Sequence, residues 1–388
     1  MDLRRLTRLA PALLALAGLA RAADAPPRPL EPIRTSADGS HFVRGATAER
    51  VVMWGFNYDR DDSGRLLEDY WAEEWATVAE DFREMKALGA NVVRIHLQTH
   101  KFMDAPDRTN AANLERLDKL VRLAEETGLY LNVTGLGCYH KKEVPAWYRD
   151  LDEGPRWDVQ ARFWEAVARV GKGSPAVFCY NLMNEPIVSG GDAPKDWLPG
   201  EPLGGKSYVQ RITLDPRGRS NVEVARAWIA RLTTAIRTVD DRTLITVGVI
   251  PWAQVFKGAK PDFNSPEAGG PLDFVSVHFY PKKDALEEAL AALKVYELGK
   301  PLVIEEIFPL AAGHEQTGAF IEASKAHVDG WISFYWGKSI EEYERDKTLS
   351  GAITAVWLKR FSSMSPYRDE SHVGIENRRK GSEPPGVR

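Results

Sequence analysis

Two apolar runs in this sequence end in acid. FCYNLMNEP (178–186) passes through residues suited to a protein interior and then delivers Asn184, Glu185 and Pro186. PLVIEEIF (301–308) does the same with Glu305 and Glu306. Both runs are short, apolar and bounded by turn-forming residues, so both read as buried strands. Carboxylates presented from two strand ends can carry acid–base and nucleophilic chemistry. Cleavage of a glycosidic bond needs such a pair: one acid protonates the departing oxygen, and the other carboxylate attacks the anomeric carbon or activates water. Other reactive side chains close other apolar runs. Arg94 and His96 end NVVRIHL (91–97), and His278 and Tyr280 end FVSVHFY (274–280). An Asn beside the acid can bond a sugar 2-hydroxyl, an Arg beneath a carboxylate keeps it ionised, and a Tyr hydroxyl can orient it.

The elements that must position these residues alternate along the chain. Strand-like stretches fall at 51–58, 91–97, 129–137, 176–185, 243–250, 274–280, 301–308 and 331–337. Helical periodicity falls at 75–89, 111–128, 157–171, 221–239, 284–299, about 316–328 and 352–364. This βα rhythm predicts an α/β chain folded as one (β/α)8 TIM barrel. The apolar strands agree, because parallel barrel strands are covered on both faces. A doubly wound open sheet is disfavoured, since GFNY (55–58) carries a single glycine where a nucleotide loop would need several. In such a barrel the active site lies at the C-terminal strand ends. Arg94, His96, Asn184, Glu185, His278, Tyr280, Glu305 and Glu306 all fall there, with Trp252 just after strand five and Trp336 near the end of strand eight. Adjacent strand residues face opposite ways, so only one of Glu305 and Glu306 is expected to point into the mouth.

Taken together, NLMNEP, LGANVVRIHL, VSVHFY and PLVIEEIF resemble glycoside hydrolase family 5, the cellulase-like family of retaining (β/α)8 hydrolases, over roughly residues 42–360. The resemblance implies that Glu185 is the general acid/base and Glu306 the nucleophile of a double displacement. It implies that Asn184 binds the 2-hydroxyl, that Arg94 and Tyr280 hold the nucleophile, that His278 lines the site and that Trp336 forms a sugar platform. No cofactor and no metal ion are implied. The substrate implied is a β-linked oligo- or polysaccharide, with β-1,4-glucan cut in endoglucanase-like fashion expected first. A β-mannanase or a transglycosylase on the same fold is the alternative. A non-catalytic carbohydrate-binding barrel is the alternative of another class, and the presence of both glutamates weighs against it. The sequence departs from the family at two points. Glu305 stands where a small residue is usual, and Leu136 stands where many members end strand three with His. His140, from the following loop, either replaces that His or the contact is absent. His96 either reaches a sugar or is a hydrogen-bonded structural residue.

The remaining features set boundaries. Net charge is −4, from 51 basic and 55 acidic residues without a long basic block, which gives no footing for nucleic acid. Residues 1–22 have a basic start, an apolar run and Ala20-Arg21-Ala22, the layout of a signal peptide. The apolar run has twelve residues, too few to span a bilayer, so no membrane span is expected after cleavage. The mature protein is expected to be exported, to a periplasm or the medium, as a monomer. Residues 23–40 read as a linker, 41–364 as the barrel and 365–388 as a polar tail. Cys138 and Cys179 either form a bridge, as export permits, or stay buried as apolar thiols. Asp59, Asp61 and Asp62 read as a solvated loop rather than a metal cluster, and no His-x-His closes strand one to support a metal-dependent hydrolase. Trp71, Trp147, Trp197 and Trp252 either stack on sugars or pack their loops.

Overall fold

The computed structural model describes residues 29–188 and 196–368, so the signal-like leader and the tail beyond Arg368 lie outside the described residues. Eight strands close into a barrel with every neighbouring pair parallel. They are β1 (Met53–Tyr58), β2 (Val92–Gln98), β3 (Tyr130–Gly137), β4 (Val177–Asn184), β5 (Leu244–Val249), β6 (Val275–His278), β7 (Leu302–Ile307) and β8 (Gly330–Ser333). Every residue of all eight is buried. That explains why the strands read as apolar runs instead of alternating patterns.

The helices turn one apolar face to the strands. In Ala111–Thr127 the buried residues are Leu117, Leu120, Val121, Leu123 and Ala124, spaced by the helical repeat. Asn110 caps its start by accepting from the Asn113 amide, and Gly128 ends it at φ 67°, a conformation that costs glycine little. Ser220 and Glu223 form a reciprocal capping box at the start of Asn221–Arg237. The expectation of a helix after every strand fails once: β5 and β6 are joined through a four-residue helix, Trp252–Val255, and loop. Among the described residues no helix is long and apolar enough to cross a membrane.

The segment read as a linker is partly structured. Ile33–Thr35 pairs with Phe42–Arg44, which pairs with Arg50–Val51, in a small antiparallel sheet. The sheet stoppers the barrel at the starts of its strands. Fully buried Phe42 meets Phe178 and Phe274 edge-on at 5.1 and 5.2 Å. Burying that ring removes about 2–3 kcal/mol worth of apolar surface from water. The alternation Ile33, Thr35 was too short to register as a strand in sequence. At the other end of the chain, Tyr367 is tied to Val52 in both directions and Ser365 donates to the Gly89 carbonyl, so the first residues of the expected loose tail dock on the barrel.

Two irregularities decide where side chains point. In β4, Asn181 pairs with Thr246 but Asn184 pairs with Gly248, so β4 carries one extra residue. In β7, Ile304 pairs with Val277 but Glu306 pairs with His278, again one extra. A bulge resets the alternation of faces and is common beside active sites.

Candidate active site

The β7 bulge overturns the expectation that only one of Glu305 and Glu306 faces inward. Both do, at different depths. Glu305 is fully buried in the barrel interior, and Glu306 is 6% exposed at the mouth. Glu305 accepts from Asn132 Nδ2 on β3 at 2.9 Å and from Asn181 Nδ2 on β4 at 2.8 Å. Room for it comes from Gly248 on β5, where a Cβ would stand 1.9 Å from Glu305 Oε1.

Arg94 is the hub above Glu305. Its Nη1 donates to Glu306 Oε1 at 2.7 Å and to Asn57 Oδ1 at 2.8 Å, Nη2 to Asn184 Oδ1 at 2.8 Å, and Nε to Thr134 Oγ1 at 2.9 Å. Nη2 also lies 3.5 Å from Glu305 Oε1. A fully buried guanidinium is tolerable only with such compensation, and here two carboxylates supply it. Tyr280 completes the hold on Glu306, its hydroxyl donating to Oε2 at 2.7 Å. Burial, with the charge of Glu306 beside it, pushes the Tyr280 hydroxyl far above its ordinary range, so it stays a donor.

Glu185 leaves β4 at φ 46°, an uncommon conformation for a residue with a Cβ, pinned by its amide donating to the Gly248 carbonyl. This turn swings the carboxylate over the mouth. There Glu185 Oε1 meets His278 Nδ1 at 2.9 Å, and His278 Nε2 meets Glu305 Oε1 at 3.2 Å. His278 Nδ1 is also 3.4 Å from Glu306 Oε2. The imidazole therefore sits among three carboxylates. Burial alone would lower it, but the charge of Glu306 and the hydrogen bonds to Glu185 and Glu305 win and raise it to about 9. Glu305 shows the converse: burial would raise it, yet Arg94 and His278 hold it at about 2. Near neutral pH His278 is a cation and Glu305 an anion. Oxygens of Glu185 and Glu306 and a nitrogen of His278 lie within 4.8 Å of one another, a grouping that can suit a metal ion. A doubly protonated imidazole has no lone pair to offer one.

Arg94, Asn184, Glu185, His278, Tyr280 and Glu306 are thus brought together. The other expected site residues are not. Trp336 is fully buried outside the barrel wall, against Phe56, with its indole N–H donating to Asp81 Oδ1 at 3.0 Å. It cannot be a sugar platform. Phe334, two residues earlier and half-buried, lines the carboxylate pocket instead. His96 is buried, its Nε2 at 3.1 Å from Asn57 Oδ1 and Nδ1 at hydrogen-bonding distance from the Tyr139 hydroxyl, and burial and Arg94 push it well below its ordinary range. It takes the structural of its two readings. Trp252 stacks on exposed Phe256, and neither it nor His140 lines the pocket.

Sequence reasoning missed Asn57, Asn132, Asn181 and the role of Glu305. It also misread Asp59, which is fully buried, not solvated, with Tyr208 donating to it across the mouth at 3.4 Å. Burial raises the Asp59 carboxyl, against the pull of Arg60. Asp61 and Asp62 do behave as loop residues, paired with Arg65 and Lys338. Cys138 and Cys179 are free and buried, so the bridge is absent.

Comparison with known proteins agrees with this geometry. The Cellulase (glycosyl hydrolase family 5) family model matches residues 47–339. No curated protein is detectably similar to the chain. Among solved structures, the exo-β-1,4-mannosidase Op5Man5 from Opitutaceae bacterium strain TAV5 superposes with a TM-score of 0.62 at 18% identity, over 87% of this chain and 63% of that one. The chain thus spans less than two thirds of that protein's structure. The endo-1,4-β-mannanase from Rhizomucor miehei superposes with a TM-score of 0.57 at 17% identity, over 86% and 99% of the two chains. The β-1,4-mannanase of the sea hare Aplysia kurodai gives 0.54 at 15%, over 87% and 98%. At these identities the likeness is one of fold, while the family match spans most of the chain and includes all eight barrel strands: the chain belongs to glycosyl hydrolase family 5.

Proposed function

We propose that this protein is a retaining β-glycosidase acting on β-1,4-linked mannosides. The observation that carries the reading is the facing of Glu185 and Glu306, one oxygen of each within 4.8 Å of the other, with separate supports for each. Retaining enzymes place their carboxyl groups about 5–5.5 Å apart, and inverting enzymes leave about 6.5–9.5 Å for a water. Glu306, held through both oxygens by Arg94 and Tyr280, is oriented to attack C1 and form a glycosyl-enzyme as the C1–O bond breaks. Glu185 gives its proton to the departing oxygen. Its Oε1 is occupied by His278, which leaves Oε2 for that transfer. In the second half, Glu185 takes a proton from water as the water oxygen attacks C1 and Glu306 leaves. Asn184 shares its carbonyl with Arg94 and its amide with the Tyr208 carbonyl at 3.2 Å, a long contact that a sugar 2-hydroxyl can replace.

The glucan preference expected from sequence has no residue behind it, whereas the fold neighbours are named as acting on mannan or mannosides. Export belongs to the same reading and rests on residues 1–22 alone. The test is product release from β-1,4-manno- and gluco-oligosaccharides, with Glu306→Gln alongside and the anomer formed first identified by NMR. Manno-selective release with retained β configuration, lost in the variant, is expected. Release of the α anomer would refute the double displacement.

A further inference from the structure

An enzyme that cuts inside a polymer must let the chain pass the catalytic pair, so its mouth needs two open ends. Here one side of the mouth is roofed. The segment 203–210 leaves the β4 side and crosses the end of β3 to reach β1. A tight turn pairs Leu203 with Lys206 in both directions, at 3.0 and 3.1 Å. The Ser207 amide donates to the Tyr139 carbonyl at 2.8 Å, and Gln210 Nε2 to the Leu136 carbonyl at 2.8 Å, both just past or within β3. The Tyr208 ring lies 4.8 Å from the Tyr139 ring, and its hydroxyl reaches Asp59 beyond the end of β1. Lys206 Nζ rests 3.1 Å from where a Cβ on Gly64 would be, in the loop after β1. Arg60, stacked at 3.6 Å on the Tyr335 ring, carries the wall on to β8.

From Lys206 onward this roof is packed, with Lys206, Ser207 and Gln210 only 4%, 7% and 1% exposed, while Leu203 in the turn before it is exposed. Beneath it Glu185, Glu306, Tyr208, Lys206 and Phe334 line a pocket of about 150 Å³ that opens to solvent. Pockets for larger ligands run to roughly 300–1,000 Å³, so this one suits a single sugar ring. A ring held between both carboxylates is the ring whose C1 is attacked, and the packed residues Lys206, Ser207 and Gln210 stand on its β1–β3 side. Lys206 lines the pocket from the roof. Its ammonium makes no hydrogen bond or ion pair with a described residue; burial and the neighbouring Arg60 work against its charge, and the more distant Asp59, Asp61 and Asp69 partly offset them.

Building on the glycosidase reading, we propose that the protein works from the non-reducing end, releasing one sugar unit at a time, with Lys206 binding the hydroxyls of that terminal unit. The experiment uses the full chain on β-1,4-manno- and gluco-oligosaccharides labelled at the reducing end, the same oligosaccharides blocked at the non-reducing terminal hydroxyl, and soluble mannan followed by viscosity. The expected result is a labelled ladder shortening by single units, monosaccharide as the early product, blocked substrates inert and viscosity nearly constant. A rapid viscosity loss, or cleavage of the blocked substrates into mid-sized fragments, would overturn the end-acting inference and leave the glycosidase reading standing. No release from any substrate, aryl β-mannosides and β-glucosides included, would overturn both. Lys206→Met keeps the stem and removes the charge. It should raise KM by about tenfold to a hundredfold, as for loss of a charged hydrogen bond, and lower kcat far less. An unchanged KM would remove Lys206 from the terminal contact.

Discussion

Glu305→Gln tests whether the inner glutamate holds His278 in its charged form. The groups facing His278 are Glu185 from the end of β4, Glu305 and Glu306 from β7, Tyr280 just beyond β6, and the cations Arg94 and, when protonated, His96 from β2. His278 rises from 6.5 to about 9 on folding. At ~1.36 kcal/mol per unit, that favours the folded state by about 3 kcal/mol at pH values where both the folded and the unfolded chain carry the His278 proton. The pKa is raised, so this stabilisation is complete below pH 6.5 and is lost as pH climbs through about 9. Glu305 is depressed from 4.5 to about 2, so its share is complete above pH 4.5 and lost as pH falls through about 2. Both shifts describe one contact and are not summed. Gln keeps the shape and can accept from Asn132 and Asn181 while donating its amide to a neutral His278 Nε2. Removing one of three carboxylates should lower His278 by about 1–2 units. The slope of stability against pH between 6.5 and 9 should shrink by about half in the variant. The assay is urea unfolding at pH 6 and pH 9 for both proteins, with the His278 resonance followed by NMR. An unchanged His278 midpoint together with an unchanged alkaline slope would falsify the account of Glu305.

Further expectations are more direct. Glu185→Gln should cut turnover by roughly 10²–10⁴ on oligosaccharides, yet far less on an aryl glycoside whose leaving group needs no proton; equal losses on both would count against Glu185 as the acid. Trp336→Phe should leave KM unchanged and lose about 1–3 kcal/mol of stability with the bond to Asp81, whereas Phe334→Ala should raise KM, since Phe334 lines the pocket; the reverse pattern would restore Trp336 as the platform. Gly248→Ala should destabilise by about 1–3 kcal/mol or more, because its Cβ would overlap Glu305 Oε1, and a second change, Glu305→Ala, should relieve part of that loss. Thiol titration should find no reactive cysteine in the native protein and two after unfolding in denaturant without reductant, and a bridged pair would give none.

What was legible in the sequence is what the barrel imposes on every strand. Burial on both faces makes apolar runs, and a site at the C-terminal ends makes those runs stop in polar residues. Arg94, Asn184, Glu185, His278, Tyr280 and Glu306 could be picked out on that logic, and the structure brings them together. The logic failed where a local irregularity reset it. Strict alternation assigned Glu305 and Glu306 to opposite faces, but the extra residue in β7 turns both inward. A bulge leaves no mark in composition, and the glycine that accommodates Glu305 lies on another strand, 57 residues earlier in the chain. Trp336 failed for a related reason. An aromatic after the last strand reads the same whether its ring faces the mouth or the surrounding helices, and only the backbone path after Ser333 decides between them. The roof over β1–β3 was illegible for a third reason. Its residues come from a Gly/Pro-rich stretch with no periodicity, and they are held by contacts to distant segments: Ser207 to the Tyr139 carbonyl, Tyr208 to Asp59, Gln210 to the Leu136 carbonyl. The chemistry of the site is therefore written in strand ends, where the fold forces a pattern. The choice between cutting a chain in its middle and trimming it from its end is written in loop contacts, where no pattern is forced, and it has to be read from the folded protein.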